Sequence, residues 1–416
     1  MSEEQHDVIV IGAGPAGSTA GNLLAREGHD VLVVDKETFP RFHIGESLLP
    51  CGMAIYERLG LDLSAGQFLP KAGAEFLDER TGQHATYDFA DGLPGGAPYA
   101  YQVERATFDH ELLKAAIRAG ARTRLGARVE GVAMDESGVE VTLGSTRLRA
   151  RYCVDATGQD AFLGRRGRSV EPHPGFGKAA VFCHFTGVAP DHLASLFPRG
   201  HIKVVMLRDG WAWLIPLRGD KLSCGVVSRS TGITTALLDE FIATSPVVQT
   251  LALGAARTEG RVIRNFSFKN RAPHGSRWVC IGDAACFLDP VFSSGVSLAV
   301  LSGERMSRLL SPALKGGREG DAALMDSLRA DMDVAYGSVG ALIHSFYHTN
   351  IIHNLFFAEN PDPEIRRGII SVLAGDVWRT DNRFQDMLLR SMRRRHQEAA
   401  APGGDAVTAA PDLAES

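Results

Sequence analysis

Several residues in this chain have a type and spacing suited to chemistry. Gly12, Gly14 and Gly17 follow a short apolar run, Asp7 to Ile11, in a GxGxxG arrangement. The first glycine permits a tight turn, the second lets backbone approach a pyrophosphate, and the third lets helix pack on strand with the helix N-terminus toward the phosphates. Asp35 ends the next apolar run, Val31 to Val34, where a carboxylate can accept hydrogen bonds from a ribose. Trp211 and Trp213 are two of the 4 tryptophans and stand two apart. On a strand they share a face, as two core indoles or as the wall of a site. Six cysteines are scattered without a CxxC pair, and His344 and His348 have no third ligand in view, so no metal is expected.

These residues need elements to hold them. Strand, glycine turn, an Ala/Leu-rich helix over 18–27 and a second strand ending on Asp35 make a βαβ unit with its parts in order. A loop and helix follow over 39–61, then a helix over 107–119 and hairpin strands between 123 and 154 with turns at Glu136-Ser-Gly138 and Gly144-Ser145. From 177 to 268 the pattern becomes longer alternating strands, among them 179–186, 201–207, 211–216 and 221–228. A strand at 278–281 leads through Gly282-Asp283 to a helix starting near Gly295, and 320–396 reads as mostly helical.

The whole is 416 residues with a net charge of −5, 44% apolar residues and 45 glycines, enough for a large core in two or more units. Charged residues of both signs are interspersed, which argues against nucleic acid or an anionic membrane as the main partner. No segment reads as a signal peptide or spanning helix, and a cytoplasmic location is expected. The oligomeric state is not legible.

With Asp155-Ala-Thr-Gly158 and Gly282-Asp283 followed by Asp289-Pro290, the chain resembles the FAD-containing fold of aromatic hydroxylases. The fold class so implied is α/β: an FAD-binding domain of that type, discontinuous over 1–165 and 270–312, with a substrate-side β-sheet domain inserted at 166–269, a C-terminal helical region over 313–396 and a disordered tail at 397–416. The resemblance implies that Asp283 holds the ribityl chain, that Arg105 lies near the ribityl and phosphate portion, and that Ala16, Lys36, Ser47, Pro290 and Gly295 also contact the cofactor. No second GxGxxG follows a strand, so FAD is expected to arrive reduced, as FADH2, from a separate flavin reductase.

Three further segments resemble the flavin-dependent halogenases of bacterial natural-product biosynthesis, in their pyrrole and phenol subgroup. Trp211-Ala-Trp213-Leu-Ile215-Pro216 is similar to their WxWxIP signature, whose bulky indoles are taken to separate flavin from the organic ring. Phe287-Leu-Asp-Pro290-Val-Phe-Ser293-Ser-Gly295 is similar to their second signature, and the resemblance places chloride or bromide at the amides of Ser294 and Gly295. Lys71, in Lys-Ala-Gly-Ala-Glu-Phe76, stands where these enzymes carry an essential lysine; an ordinary lone lysine is a surface residue. An amine or ammonium there would hold and polarise hypohalous acid. Glu46, close to flavin and lysine in such proteins, is the candidate base for the ring, with a structural carboxylate as the alternative.

Phe292 stands where the tryptophan-acting subgroup has glutamate, and Ser297 where many phenol-type members have histidine. The first argues against free tryptophan and leaves a phenol or pyrrole as the substrate, and the second tilts toward one tethered to an acyl or peptidyl carrier protein. Tyr347 and His348 are candidates to orient that ring, and the basic run Arg390 to Arg395 is a solvated helix end before it is a docking surface. The competing readings are an FAD-dependent aromatic monooxygenase, a flavoprotein that reduces isoprenoid double bonds, and an FAD-binding regulatory protein without chemistry.

Overall fold

Val8 to Ile11 and Val31 to Asp35 are buried residue after residue, without alternation, as strands covered on both faces must be. In this computed structural model, which describes residues 4–173, 176 and 179–400 with side chains to residue 394, they form the middle of a parallel sheet. Its order is Trp278–Cys280, Thr146–Asp155, Glu4–Ile11, Val31–Asp35 and Arg122–Leu125. The helices Pro15–Arg26 and Gly295–Lys315 pack together on one face. Their approach is close because Gly303 lies against the Ala16 carbonyl, where a Cβ would meet it at 2.8 Å.

The inserted sheet runs Ala256–Arg257, Ala179–Thr186, Leu222–Ser228, Gly210–Pro216, Ile202–Leu207, Gly73–Asp78 and Gln83–Asp88. Its last two strands come from the segment expected to belong wholly to the FAD-binding unit. Ala74 to Leu77 pair in parallel with Ile202 to Val205, a pairing that no local sequence pattern announces. Gly73 therefore serves this sheet: a Cβ there would run into the Tyr87 carbonyl of the neighbouring strand.

The two faces of the sheet divide by the period-2 rule. Ala180, Phe182, Trp211, Trp213 and Ile215 face the core that the sheet shares with the parallel sheet and the C-terminal helices. Val181, Cys183, Ala212 and Leu214 face a second core, closed by the helices Thr235–Thr244 and Pro246–Ala252.

The C-terminal region is helical over Asp326–His348, Pro363–Leu373 and Arg383–Ala400. The last helix takes in residues 397–400 of the expected tail, and 401–416 lie outside the described residues. Among the described residues, no helix is long and apolar enough to cross a membrane, and no cluster of three potential metal ligands occurs.

Candidate active site

A cavity of about 730 Å³ lies between the two sheets, with Asp35, Lys36 and Arg128 at one end and Trp211, Trp213 and Ile215 at the other. Of the site residues expected from sequence, Gly17, Lys71, Pro216, Tyr347 and His348 do not line it.

The three glycines of the turn have different reasons to be glycine. Gly12 has φ +104, and a Cβ there would strike the Ala156 carbonyl; a Cβ on Gly17 would strike the Gly12 carbonyl. Gly14 is different, because its nearest neighbour would be the Arg41 guanidinium at 3.4 Å, and it opens on the cavity. The fold does not need its missing side chain, so the space serves a guest. Pro15 starts the helix with no side-chain cap, leaving its first N–H groups for an acceptor in the cavity. Asp35 accepts from the amides of Ala13 (2.7 Å) and Glu37 (2.8 Å), which fixes its carboxylate at the cavity edge. Lys36 pairs with Asp160 across that edge.

Asp155, in the Asp155-Ala-Thr-Gly158 signature, is scaffold: it accepts from Thr157 N, Thr157 Oγ1 and Leu163 N at 3.0, 2.6 and 2.7 Å. Arg105 is buried, not a surface arginine. Its guanidinium donates to both Asp109 oxygens (2.7 and 2.9 Å) and to the carbonyls of Ile44 (2.9 Å) and Gly45 (3.2 Å), so it fastens the loop ahead of Glu46. Asp283 faces the cavity, and burial lifts its carboxyl to about 7, with Arg105 pulling the other way. Ser47 is 5% exposed and lines the cavity, and its buried Oγ has no hydrogen-bond partner. A polyhydroxyl chain beside Asp283 and Ser47, and a pyrophosphate at Gly14, fit these unmet groups, so the cavity suits FAD.

Glu46 is 3% exposed and is held by a residue that sequence did not suggest. His184 Nε2 meets both its carboxylate oxygens, at 2.9 and 3.0 Å, from the strand Ala179–Thr186. Burial lowers the affinity of His184 for a proton, but the hydrogen bond and charge of Glu46 outweigh it and its pKa is raised. Phe42, from the same loop as Glu46, stacks on Phe182 and lies under the Arg261 guanidinium at 4.3 Å.

At the far end, the Trp211 and Trp213 rings lie 5.8 Å apart on one face of their strand. Trp213 donates to Ser223 Oγ (3.1 Å) and lies over Gly225, whose Cβ would collide with the indole. Trp211 Nε1 donates to Tyr347 Oη (3.0 Å), Tyr347 donates to Asp289 Oδ2 (2.8 Å), and Asp289 Oδ1 accepts from Val291 N (3.0 Å). This chain joins the inserted sheet, the helix Asp326–His348 and the Asp289-Pro290 loop. Burial and then the Asp289 charge drive the Tyr347 phenol far above its usual range, so it stays a donor. Tyr347 is therefore engaged with the loop and the indole, not free to orient a ring. The loop passes through Ser293 at φ +57 into a helix that starts without a side-chain cap, and Ser294 and Gly295 face the cavity there.

Lys71 closes the strand Leu69–Lys71 and is 1% exposed, so the surface alternative fails. Its Nζ donates to the Leu48 carbonyl (2.9 Å) and lies 5.1 Å from the centre of the Phe89 ring. Burial takes its ammonium down to about 7, with Cys51 opposing slightly. It is thus next to the segment carrying Glu46 and Ser47 but behind the cavity wall. His184, Tyr347 and Asp289 act by contacts that spacing does not encode, although Asp289 belongs to a recognisable Asp-Pro pair.

The family profile described as tryptophan halogenase matches residues 7–97 and 93–374. A 1H-pyrrole-2-carbonyl-[peptidyl-carrier protein] chlorinase of Pseudomonas fluorescens is 29% identical, with 91% of this chain and 91% of that protein aligned. A 1H-pyrrole-2-carbonyl-[peptidyl-carrier protein] brominase of Pseudoalteromonas luteoviolacea is also 29% identical, over 93% of this chain and 98% of its own. Among solved structures, a flavoprotein/dehydrogenase of Cytophaga hutchinsonii superposes with a TM-score of 0.83 at 28% identity, covering 95% of this chain and 100% of its own.

Proposed function

The chain belongs to the tryptophan halogenase family and is a flavin-dependent halogenase using FAD and a halide, and from that premise we propose that it halogenates a pyrrole carried on a peptidyl carrier protein. The two pyrrole-carrier relatives span nearly the whole chain, and Phe292 takes the place of the tryptophan subgroup's glutamate. The observation that carries the chemistry is Lys71: a wholly buried amine, close to neutrality, with one carbonyl partner and no carboxylate.

In this reading the residues lining the cavity would hold FAD, which would supply the activated oxygen when bound. Gly12, Gly14, Ala16 and Gly17 shape the pyrophosphate turn, Asp35 and Lys36 hold the adenosine end, and Asp283, Ser47 and Pro290 hold the flavin end. Arg105 positions the loop before Glu46. Trp211, Trp213 and Ile215 form the wall that keeps the organic ring from the flavin, and Pro216 ends their strand outside the cavity lining. The amides of Ser294 and Gly295, at an uncapped helix N-terminus, hold the halide without a competing side chain.

Lys71 holds hypohalous acid by a hydrogen bond from its amine or ammonium and turns its halogen toward the ring. Leu48 orients the nitrogen and leaves other N–H positions for the oxidant. Glu46 lies on the flavin side of Leu48, tied to His184, so we assign it an anchoring role in place of the general base expected from sequence.

Reduced flavin comes from a separate reductase, and the reaction takes place in the cytoplasm. The test combines the protein with FAD, a flavin reductase, NADH, bromide and a pyrrole-carboxyl group loaded on a carrier protein, read by mass spectrometry. A brominated pyrrole is the expected product. Oxygen insertion that needs no halide would place the protein with the aromatic monooxygenases and sink the reading.

A further inference from the structure

The helix Arg383–Ala400 has two unlike faces. Phe384 and Leu388 are buried with Met392 packed beside them, and Gln385 Nε2 donates to Ser338 Oγ (2.9 Å), which fastens this face to the helix Asp326–His348. The outer face carries Arg383, Met387, Arg390 and Arg394, spaced four, three and four apart, with Arg393 beside them. All five are exposed, Met387 at 47%. Residues 383–394 include four arginines, one aspartate and no lysine. A face meant only for solvation takes lysine as readily, whereas arginine and methionine are enriched, and lysine depleted, where one protein meets another. Its ion pairs, Arg383 with Glu364 (3.2 Å) and Arg390 with Asp386 (3.4 Å), are exposed and weakly held, so a better anion displaces them.

A path of contacts joins this face to Lys71. The Phe89 ring is 5.1 Å from Lys71 Nζ, and Ala100 pairs with Lys71 in a two-stranded ladder, so the chain between them leaves from the lysine and returns to it. Its outer part is bonded to the C-terminal region. Leu93 N donates to Ser371 Oγ (2.9 Å), and Arg379, four residues ahead of Arg383, donates to the Pro94 carbonyl (2.6 Å). The five residues from Phe89 to Pro94 span at most about 18 Å. An extended phosphopantetheine arm covers that distance.

Resting on the reading that the pyrrole is carried on a peptidyl carrier protein, we propose that the outer face of this helix docks the carrier, a role beyond the solvated helix end expected from sequence. A carrier presents its cargo on an arm joined to a serine by a phosphodiester, so an anion stands where the arm leaves its surface. Guanidinium groups meet phosphate and carboxylate in paired hydrogen bonds. Residues 383–394 make about 18 Å of helix, the footprint of one small domain. Met387 is the apolar centre, and Arg383, Arg390, Arg393 and Arg394 are the charged rim. The loaded arm then runs inward beside the 90–99 loop to Lys71.

The experiment compares the wild type with a variant carrying Arg390→Ala, Arg393→Ala and Arg394→Ala, its fold checked by flavin titration. Each receives FAD, reductase, NADH and bromide with either pyrrole-carboxyl loaded on the carrier or the same pyrrole as a thioester of pantetheine alone. In the variant, KM for the loaded carrier should rise tenfold or more with kcat little changed, while turnover of the pantetheine thioester stays as it was. Added salt should raise the wild-type KM for the carrier and barely move the variant's. An unchanged carrier KM, or an equal loss on both substrates, overturns the docking surface and leaves the halogenase reading standing. Wild-type binding to phosphatidylglycerol vesicles that the variant lacks, with its carrier KM unmoved, also overturns it and makes the face a membrane contact. A wild type that leaves the carrier-loaded pyrrole unhalogenated defeats the proposed substrate itself, and this inference with it.

Discussion

His184 Nε2 bridges both carboxylate oxygens of Glu46, binding the inserted sheet to the loop over residues 41–47 that lines the cavity. Its pKa is raised, so protonation is favoured in the folded state. The stabilisation is fully present below the unfolded value of about 6.5 and is lost as pH rises through the higher folded value. FAD retention and thermal midpoint should therefore fall across that window. His184→Gln should remove the dependence and cost roughly 1–3 kcal/mol at pH 6. A variant with an unchanged pH profile would show that the pair bears no load.

Lys71→Met should abolish halogenation while FAD still binds, since Lys71 lies behind the cavity wall. Its folded pKa, about 7 against a model-peptide value of 10.5, means the unfolded chain binds more protons between those values, so stability rises with pH there. Replacing the amine by an apolar side chain removes that slope and should stabilise the protein by about 1–4 kcal/mol near neutrality. Thermal melts from pH 7 upward, with activity measured alongside, check both halves.

Tyr347→Phe cuts the hydrogen-bond chain from Trp211 to Asp289, leaving the indole N–H without its acceptor. The expected cost is about 1–3 kcal/mol, and looser hold on the Asp289-Pro290 loop should show as more NADH consumed per halogenated product. Unaltered coupling would reduce the chain to a packing feature.

Gly12→Ala and Gly14→Ala should part company. The first meets the Ala156 carbonyl and should not fold, whereas the second meets only Arg41 at 3.4 Å and should fold with FAD affinity reduced about tenfold or more. Melting curves and flavin fluorescence titration distinguish them.

The βαβ unit, the shared face of Trp211 and Trp213, and the turn into the helix at Gly295 were legible because each depends on local spacing. The alternation through 179–228 likewise marked the inserted sheet. What escaped was contact between distant positions. Glu46 and His184 are 138 residues apart, Trp211 and Tyr347 136, and Asp289 and Tyr347 58, and no period in one sequence encodes such pairs. For the same reason Lys71, ordinary in its local setting, gave no sign of burial: its strand pairs with Ala100–Gln102 and its nitrogen with Leu48.

The helices Pro15–Arg26 and Gly295–Lys315 both begin at the same cavity, and neither has a side-chain cap. Each contributes the positive end of its macrodipole there. The consequence concerns oxidation state: a pocket with a fixed positive field binds the more negative, reduced form of a flavin more tightly than the oxidised form. A flavin is thus held while it carries electrons and released more readily once they are spent.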